Sequence, residues 1–371
     1  MLVINKRSHQ ASLRRLLVII FLSAVITACG GGSGNGQTPP PPPPTYEIQF
    51  ESGSLISYLN AIEYGSMDDN QFQVPTSTEL SQFENVISLI LGLNYQQANN
   101  LAHDIGYEIV NYSDTDSGKN YYILREQSPV PSANTMAGGY YLFNPGAIYN
   151  VAIHVPHPQH DTNTDIEGIA LFLNTDVKYL FLAGSHRRSS TTASNCQNTN
   201  DYRMSDPVHN IEHYFYIAHK ALEDFDDTHH VIELHGFGTS YLDRLNDQCD
   251  ATDNTHLIQL SETRSDLDAG TDSLMHSLES IVNSELHIAA CIYSTVLDTG
   301  PDDLYGTSLG ATLNTPGRYT NGSTDTCNTP ALNDNNTHRY LHIEQSYNVR
   351  SQDRDLMINY INQSLIEYFS Q

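Results

Sequence analysis

Four stretches of this chain gather side chains able to bind a metal, move a proton or hold an anion. The first runs Pro156-His157-Pro158-Gln159-His160-Asp161-Thr162-Asn163-Thr164-Asp165-Ile166-Glu167. His157, His160 and Asp161 share one loop, and imidazole nitrogen with carboxylate oxygen is a donor set that zinc takes readily. The second is Val231-Ile232-Glu233-Leu234-His235-Gly236-Phe237-Gly238. There an apolar β-run ends on His-Gly, and the glycine lets the backbone turn sharply and expose the imidazole. Added to two ligands from the first loop, His235 makes three, which leaves an open position as in catalytic zinc sites. The third, Tyr340-Leu341-His342-Ile343-Glu344-Gln345-Ser346-Tyr347-Asn348-Val349-Arg350, alternates like a half-buried strand and puts Glu344 at its end. A carboxylate there is placed to take a proton from metal-activated water, or to pair with Arg350. The fourth, Leu182-Ala183-Gly184-Ser185-His186-Arg187-Arg188-Ser189, offers Arg187 for a substrate carboxylate or a developing oxyanion. Asp206, followed by Pro207, reads as a helix N-cap and is given no catalytic part.

The elements that would position these residues follow from hydrophobic period and turn residues. Residues 54–64, 79–91 and 96–105 carry apolar side chains at helical spacing, and 107–112, 120–124 and 140–144 read as short aromatic strands. Thereafter strands at 149–155, 178–183, 230–234 and 338–344 alternate with helices at 165–173, 207–225, 271–282 and 353–369. Such alternation points to an α/β sheet covered by helices on both faces. In that architecture sites collect beyond the carboxyl ends of the strands, which is where all four stretches lie.

These pieces, in this order, resemble the zinc carboxypeptidase-like amidohydrolases. That group includes poly-gamma-glutamate hydrolase, N-formylglutamate amidohydrolase and the succinylglutamate-type deacylases. The likeness covers the chain from Val151 onward and implies a mixed, mostly parallel sheet with helices on both faces, over residues 149–371. It also implies that His157, Asp161 and His235 hold Zn²⁺, with Glu344 as the general base. The Glu344-Gln345-Ser346…Arg350 segment looks like the Glu-x-Ser…Arg ending of the poly-gamma-glutamate hydrolases, which makes Arg350 a further substrate-binding candidate. One departure concerns the acidic ligand. The family's usual Glu, three residues after the first His, is replaced here by His160, so the second ligand is Asp161 or His160, with Asp161 first. The implied substrates are small peptides or acylated amino acids. Poly-gamma-glutamate itself suits an acidic protein poorly, because like charges repel. Residues 46–148 carry no matching motif and are expected to form a small N-terminal α+β extension.

Composition narrows the rest. With 17 basic against 43 acidic residues the chain carries a formal charge of −26, which argues against binding nucleic acid or an anionic membrane surface. Lys6, Arg7, Arg14 and Arg15 precede an apolar run at 16–25 and the sequence Ile26-Thr27-Ala28-Cys29. That has the form of a signal peptide (1–28). Its end resembles the bacterial lipobox, which implies that Cys29 is lipidated, and by resemblance to lipoprotein sorting rules Gly30, not Asp, after the cysteine implies the outer membrane. Residues 29–45 are rich in glycine and then proline, a tether that buries no core. The remaining Cys196, Cys249, Cys291 and Cys327 are expected to form two disulfides in an oxidising compartment, and proximity favours Cys196–Cys249 and Cys291–Cys327. Two rival readings stand. Gly306-Thr307-Ser308-Leu309-Gly310 matches a serine-hydrolase nucleophile elbow, although Pro301 and Pro316 suit neither the strand before it nor the helix after it. The other rival is a non-catalytic binding lipoprotein on a hydrolase-like fold.

The lipobox makes a direct prediction. Cys29→Ser should release the protein from membranes on fractionation, and membrane retention with an unlipidated N-terminus would overturn the anchor.

Overall fold

The computed structural model describes residues 44–371 except 71, 128–136, 198, 250, 252–253, 264–272, 286, 294–308 and 331–336. Cys29 and Ser308 therefore lie outside the described residues. In chain order the elements are β1 (Gln49–Gly53), α1 (Leu55–Leu59), α2 (Ser77–Leu91), α3 (Tyr95–His103), β2 (Tyr107–Asp114), β3 (Asn120–Glu126), β4 (Tyr140–Phe143), β5 (Tyr149–Val155), α4 (Thr164–Asn174) and β6 (Val177–Leu182). They continue with α5 (Tyr214–Phe225), β7 (His230–Gly236), α6 (Leu242–Gln248), β8 (Leu257–Ser261), α7 (Leu274–Ser284), β9 (Ala289–Ile292), α8 (Thr315–Thr320), β10 (Tyr340–Gln345), α9 (Tyr347–Gln352) and α10 (Arg354–Phe369).

The strands form one ten-stranded sheet in the order β1-β2-β3-β4-β6-β5-β7-β10-β8-β9. Its centre, β6-β5-β7-β10, is parallel, while β2-β3-β4-β6 and β10-β8 pair antiparallel. This is the mixed, mostly parallel α/β sheet that the alternation of elements implied. The N-terminal segment prolongs that sheet through the β4–β6 pairing. Three strands, β1, β8 and β9, were not anticipated; each has at most five residues, too few to display a period.

Period-two burial builds two cores. Val151, Ile153 and Val155 of β5 face one cluster, with Leu180 and Leu182 of β6 and residues of α4, α7 and α10. Ala152, Tyr179, Phe181 and Ala183 face the other, with α2, α3 and α5. Helices therefore cover both faces, and the central strands are buried along most of their length. Helix α2 starts where a capping box allows: Glu79 N–H donates to Thr76 Oγ1, and Thr76 N–H donates back to the Glu79 carboxylate. No helix among the described residues is long and apolar enough to cross a membrane.

Two expectations are corrected. Helix α5 begins at Tyr214, not at residue 207. His213 caps it through Nδ1, and residues 207–213 are held as turns by Asn210, which bonds Met204 and Glu212. Asp206 is therefore no N-cap; its carboxylate is engaged elsewhere. The disulfides are Cys196–Cys327 and Cys249–Cys291, a nested pairing. Proximity in sequence misled here because the chain returns to the same end of the sheet after a long excursion.

These closures span 131 and 42 residues. On loop entropy each should stabilise the fold by about 4–5 kcal/mol. Replacing either pair with alanine should lower the urea midpoint accordingly, and a loss under about 1 kcal/mol would contradict the bridge's role.

Candidate metal centre

The carboxyl ends of the parallel strands bring the expected residues together. Strand β5 leads through α4 to β6 on one side, and β6 crosses back past β5 through α5 to β7, so the two helices lie on opposite faces and a crevice opens at the strand ends. His157 sits there, two residues past β5, and Asp161 follows in a turn closed by its N–H donating to the His157 carbonyl. His235 is near the end of β7 and pairs in register with Glu344 near the end of β10; Glu233 likewise pairs with His342.

His157 Nδ1, His235 Nδ1 and Asp161 Oδ2 form a triangle with edges of 3.1, 3.1 and 3.3 Å, all three residues buried. A tetrahedral ion bonded at about 2.0–2.1 Å spaces its ligands about 3.3–3.4 Å apart, so the triangle has the size of one coordination face. The proton positions follow from the outer contacts. His157 Nε2 lies 3.1 Å from Asp206 Oδ1, and His235 Nε2 lies 3.0 Å from Glu233 Oε1. Carboxylates accept, so each imidazole donates its N–H outward and turns a lone pair inward. Arg187 Nη1, which only donates, is 3.5 Å from His157 Nδ1, in keeping with a lone pair there. Three acceptors thus face one another at hydrogen-bond distance, an arrangement that needs a positive charge among them. Burial opposes a charge on His235, but hydrogen bonds to Asp161 and Glu233 outweigh it and push its pKa up to about 10. A metal cation would replace that proton. Carboxylates behind metal-binding histidines are the usual means of fixing tautomer and orientation. Among the described residues two overlapping groups here could hold a metal, His157–Asp161–His235 and Glu233–His235–His342, and the first is favoured because Glu233 is already occupied by the donors His235, Asn314 and Tyr340.

The other candidates fall around this triangle. Burial, with Asp161 adding to it, pushes the Glu344 carboxyl up to about 8 against the pull of His235. Glu344 Oε2 is buried without a hydrogen-bond partner. Arg187 is anchored by Asp206 Oδ2 at 2.6 Å. Burial resists ionisation of Asp206, but the Arg187 guanidinium holds its carboxyl well below the usual range. Arg350 donates through Nη1 to the Thr162 carbonyl, and its Nε is unpartnered. Its guanidinium lies across Gly236 so closely that a Cβ there would sit 2.1 Å from Cζ. Gly236 is still within β7 and has no left-handed backbone, so the glycine serves this close approach rather than the turn expected of it. His160 turns away to His186, Nδ1 to Nε2 at 3.2 Å, and takes no place in the triangle.

Sequence reasoning missed three supports. Asp206 lies 49 residues from His157, with nothing local to mark it. Asn314, the N-cap of α8, donates to Glu233, and so does Tyr340, whose hydroxyl is 2.5 Å from Oε2. The alternation Glu233/His235 and Tyr340/His342/Glu344 was legible, since residues two apart on a strand share a face. With both oxygens engaged by donors, Glu233 serves to orient His235.

No protein-family model matches this chain, and no curated protein matches it. Among solved structures, an N-formylglutamate amidohydrolase from Ralstonia eutropha JMP134 is similar, with a TM-score of 0.36 and 13% identity over 62% of this chain and 96% of that one.

Asp206→Ala and Glu233→Gln should each weaken metal binding by about 10–100-fold, because a freed imidazole can present the wrong nitrogen. Competition with a chromophoric chelator measures this, and affinities equal to wild type would show that these carboxylates do not fix the tautomers.

Proposed function

We propose that this chain is a zinc-dependent hydrolase of amide bonds, acting on small peptides or acylated amino acids outside the cytoplasm while anchored to the outer membrane through Cys29. What carries the reading is the triangle of inward lone pairs on His157, His235 and Asp161, with the unpartnered Glu344 carboxylate on the adjoining strand. Zinc bound there supplies Lewis acidity to an amide carbonyl and lowers the pKa of water. Glu344 takes the proton of the attacking water on Oε2 and returns it to the leaving amine. Burial raises the Glu344 carboxyl, which helps it hold the proton it has taken until the amine leaves. Arg187, steadied by Asp206, faces the triangle and offers an N–H to negative charge growing on the carbonyl oxygen. Arg350 binds a carboxylate of the substrate. The acidic chain has no part in nucleic-acid binding.

A ligand and a base fail differently, which gives the test. His235→Ala should lose zinc and activity together. Glu344→Gln should keep its zinc and lose about 10²–10⁴ in rate on a panel of peptides and acyl-amino acids. Near-normal turnover by Glu344→Gln, or full zinc content in His235→Ala, would overturn the assignment.

A further inference from the structure

A second group of metal-ligating side chains stands apart from the triangle and shares no residue with it. His256 immediately precedes β8, His287 lies in the turn before β9, and Asp353 joins α9 to α10. The Asp353 carboxylate is bonded on one oxygen by His256 Nδ1 and on the other by His287 Nε2, the latter at 3.0 Å. The two rings sit 5.0 Å apart, and one ligand atom from each of the three residues falls within 4.8 Å of the others.

Asp353 also occupies the N-cap position of α10, where an aspartate ordinarily bonds the helix N–H groups. It makes no such bond. Its carboxylate is committed to the two histidines instead of the cap. The side chain of His287 is 52% exposed and that of Asp353 12%, so the carboxylate is shielded while one flank stays open to water. Water can thus fill remaining coordination positions. The chain's formal charge of −26 raises the local concentration of cations.

We propose that His256, His287 and Asp353 form a peripheral site for a borderline divalent metal such as zinc, which clamps the entries to β8 and β9 against the start of α10. Two imidazoles and one carboxylate suit zinc, nickel or copper and do not suit calcium or magnesium, which take oxygen ligands. The ion would replace the two N–H groups now directed at Asp353. Each neutral imidazole moves its proton to the other ring nitrogen, so binding needs no net proton loss. The clamp reinforces a corner already tied by Cys249–Cys291, and it sits three residues from Arg350.

The test is zinc stoichiometry of the whole folded protein after dialysis against micromolar free zinc, and it needs no activity. His287→Gln, at an exposed position, should bind one zinc per chain fewer than wild type. A His157→Ala/His235→Ala variant should retain one zinc and rise in melting temperature when zinc is added, and adding His287→Gln to it should abolish both effects. Equal zinc in wild type and His287→Gln would overturn the proposal, as would a folded His157→Ala/His235→Ala protein that holds none. Should that double variant fail to fold, the comparison of His287→Gln with wild type still decides. Failure of the hydrolase reading leaves that comparison unchanged, because it counts one zinc lost at the periphery.

Discussion

Two hydrogen bonds organise the centre of this protein: from His157 to Asp206, and from His235 to Glu233. Each consumes the one N–H of a neutral imidazole and so decides which nitrogen faces inward. Reverse either tautomer and an N–H points at Asp161 and the other histidine, where it satisfies the cluster as an ordinary hydrogen bond and leaves no seat for a cation. The supporting carboxylates need support in turn. Glu233 is held by Asn314 and Tyr340, and Asp206 by Arg187.

Burying so many ionisable groups on one sheet face is costly unless each finds a partner. Strand register supplies the partners. With β7 and β10 parallel, His235 falls beside Glu344 and Glu233 beside His342; β5 on the other side puts His154 beside Glu233. The other face of the same strands is mainly apolar, with Ile232, Leu234, Leu341 and Ile343 in one cluster with residues of α4, α7 and α10, and Gln345 at its end donates to the buried Glu167 of α4. A slip of one residue would exchange these faces and send the ligands into the hydrocarbon side. The apolar packing therefore protects the chemistry of the opposite face.

The segments that complete the site carry little regular structure, and covalent and polar ties hold them. Cys196–Cys327 joins the stretch delivering Asp206 to the one delivering Asn314. Arg318 of α8 fastens the same region through the carbonyls of Thr312, Thr326 and Cys327. The oxidising compartment expected from the leader and the loop-borne construction of the site are consistent with each other, since a disulfide offsets the entropy of ordering such loops.

Local pattern carried the α/β class and the strand ends that bear His157, His235 and Glu344. Period two and period 3.6 are written in adjacent residues, and a polar residue closing an apolar run stands out. It also marked His157, His160 and Asp161 as one group and put Asp161 ahead of His160 as the second ligand without deciding between them. That choice needed the turn after β5, which directs Asp161 inward and His160 toward His186. Asp206 looked like a helix cap because Asp-Pro usually is one; the long-range pull of Arg187 and His157 decided otherwise. The disulfide pairing, the strands β8 and β9, and the meeting of His256, His287 and Asp353 depend likewise on segments brought together only by folding. Sequence determines what each short stretch can become. Which side chains share a charge, a proton or an ion is settled by tertiary contacts between residues dozens to more than a hundred positions apart, and no local period records those.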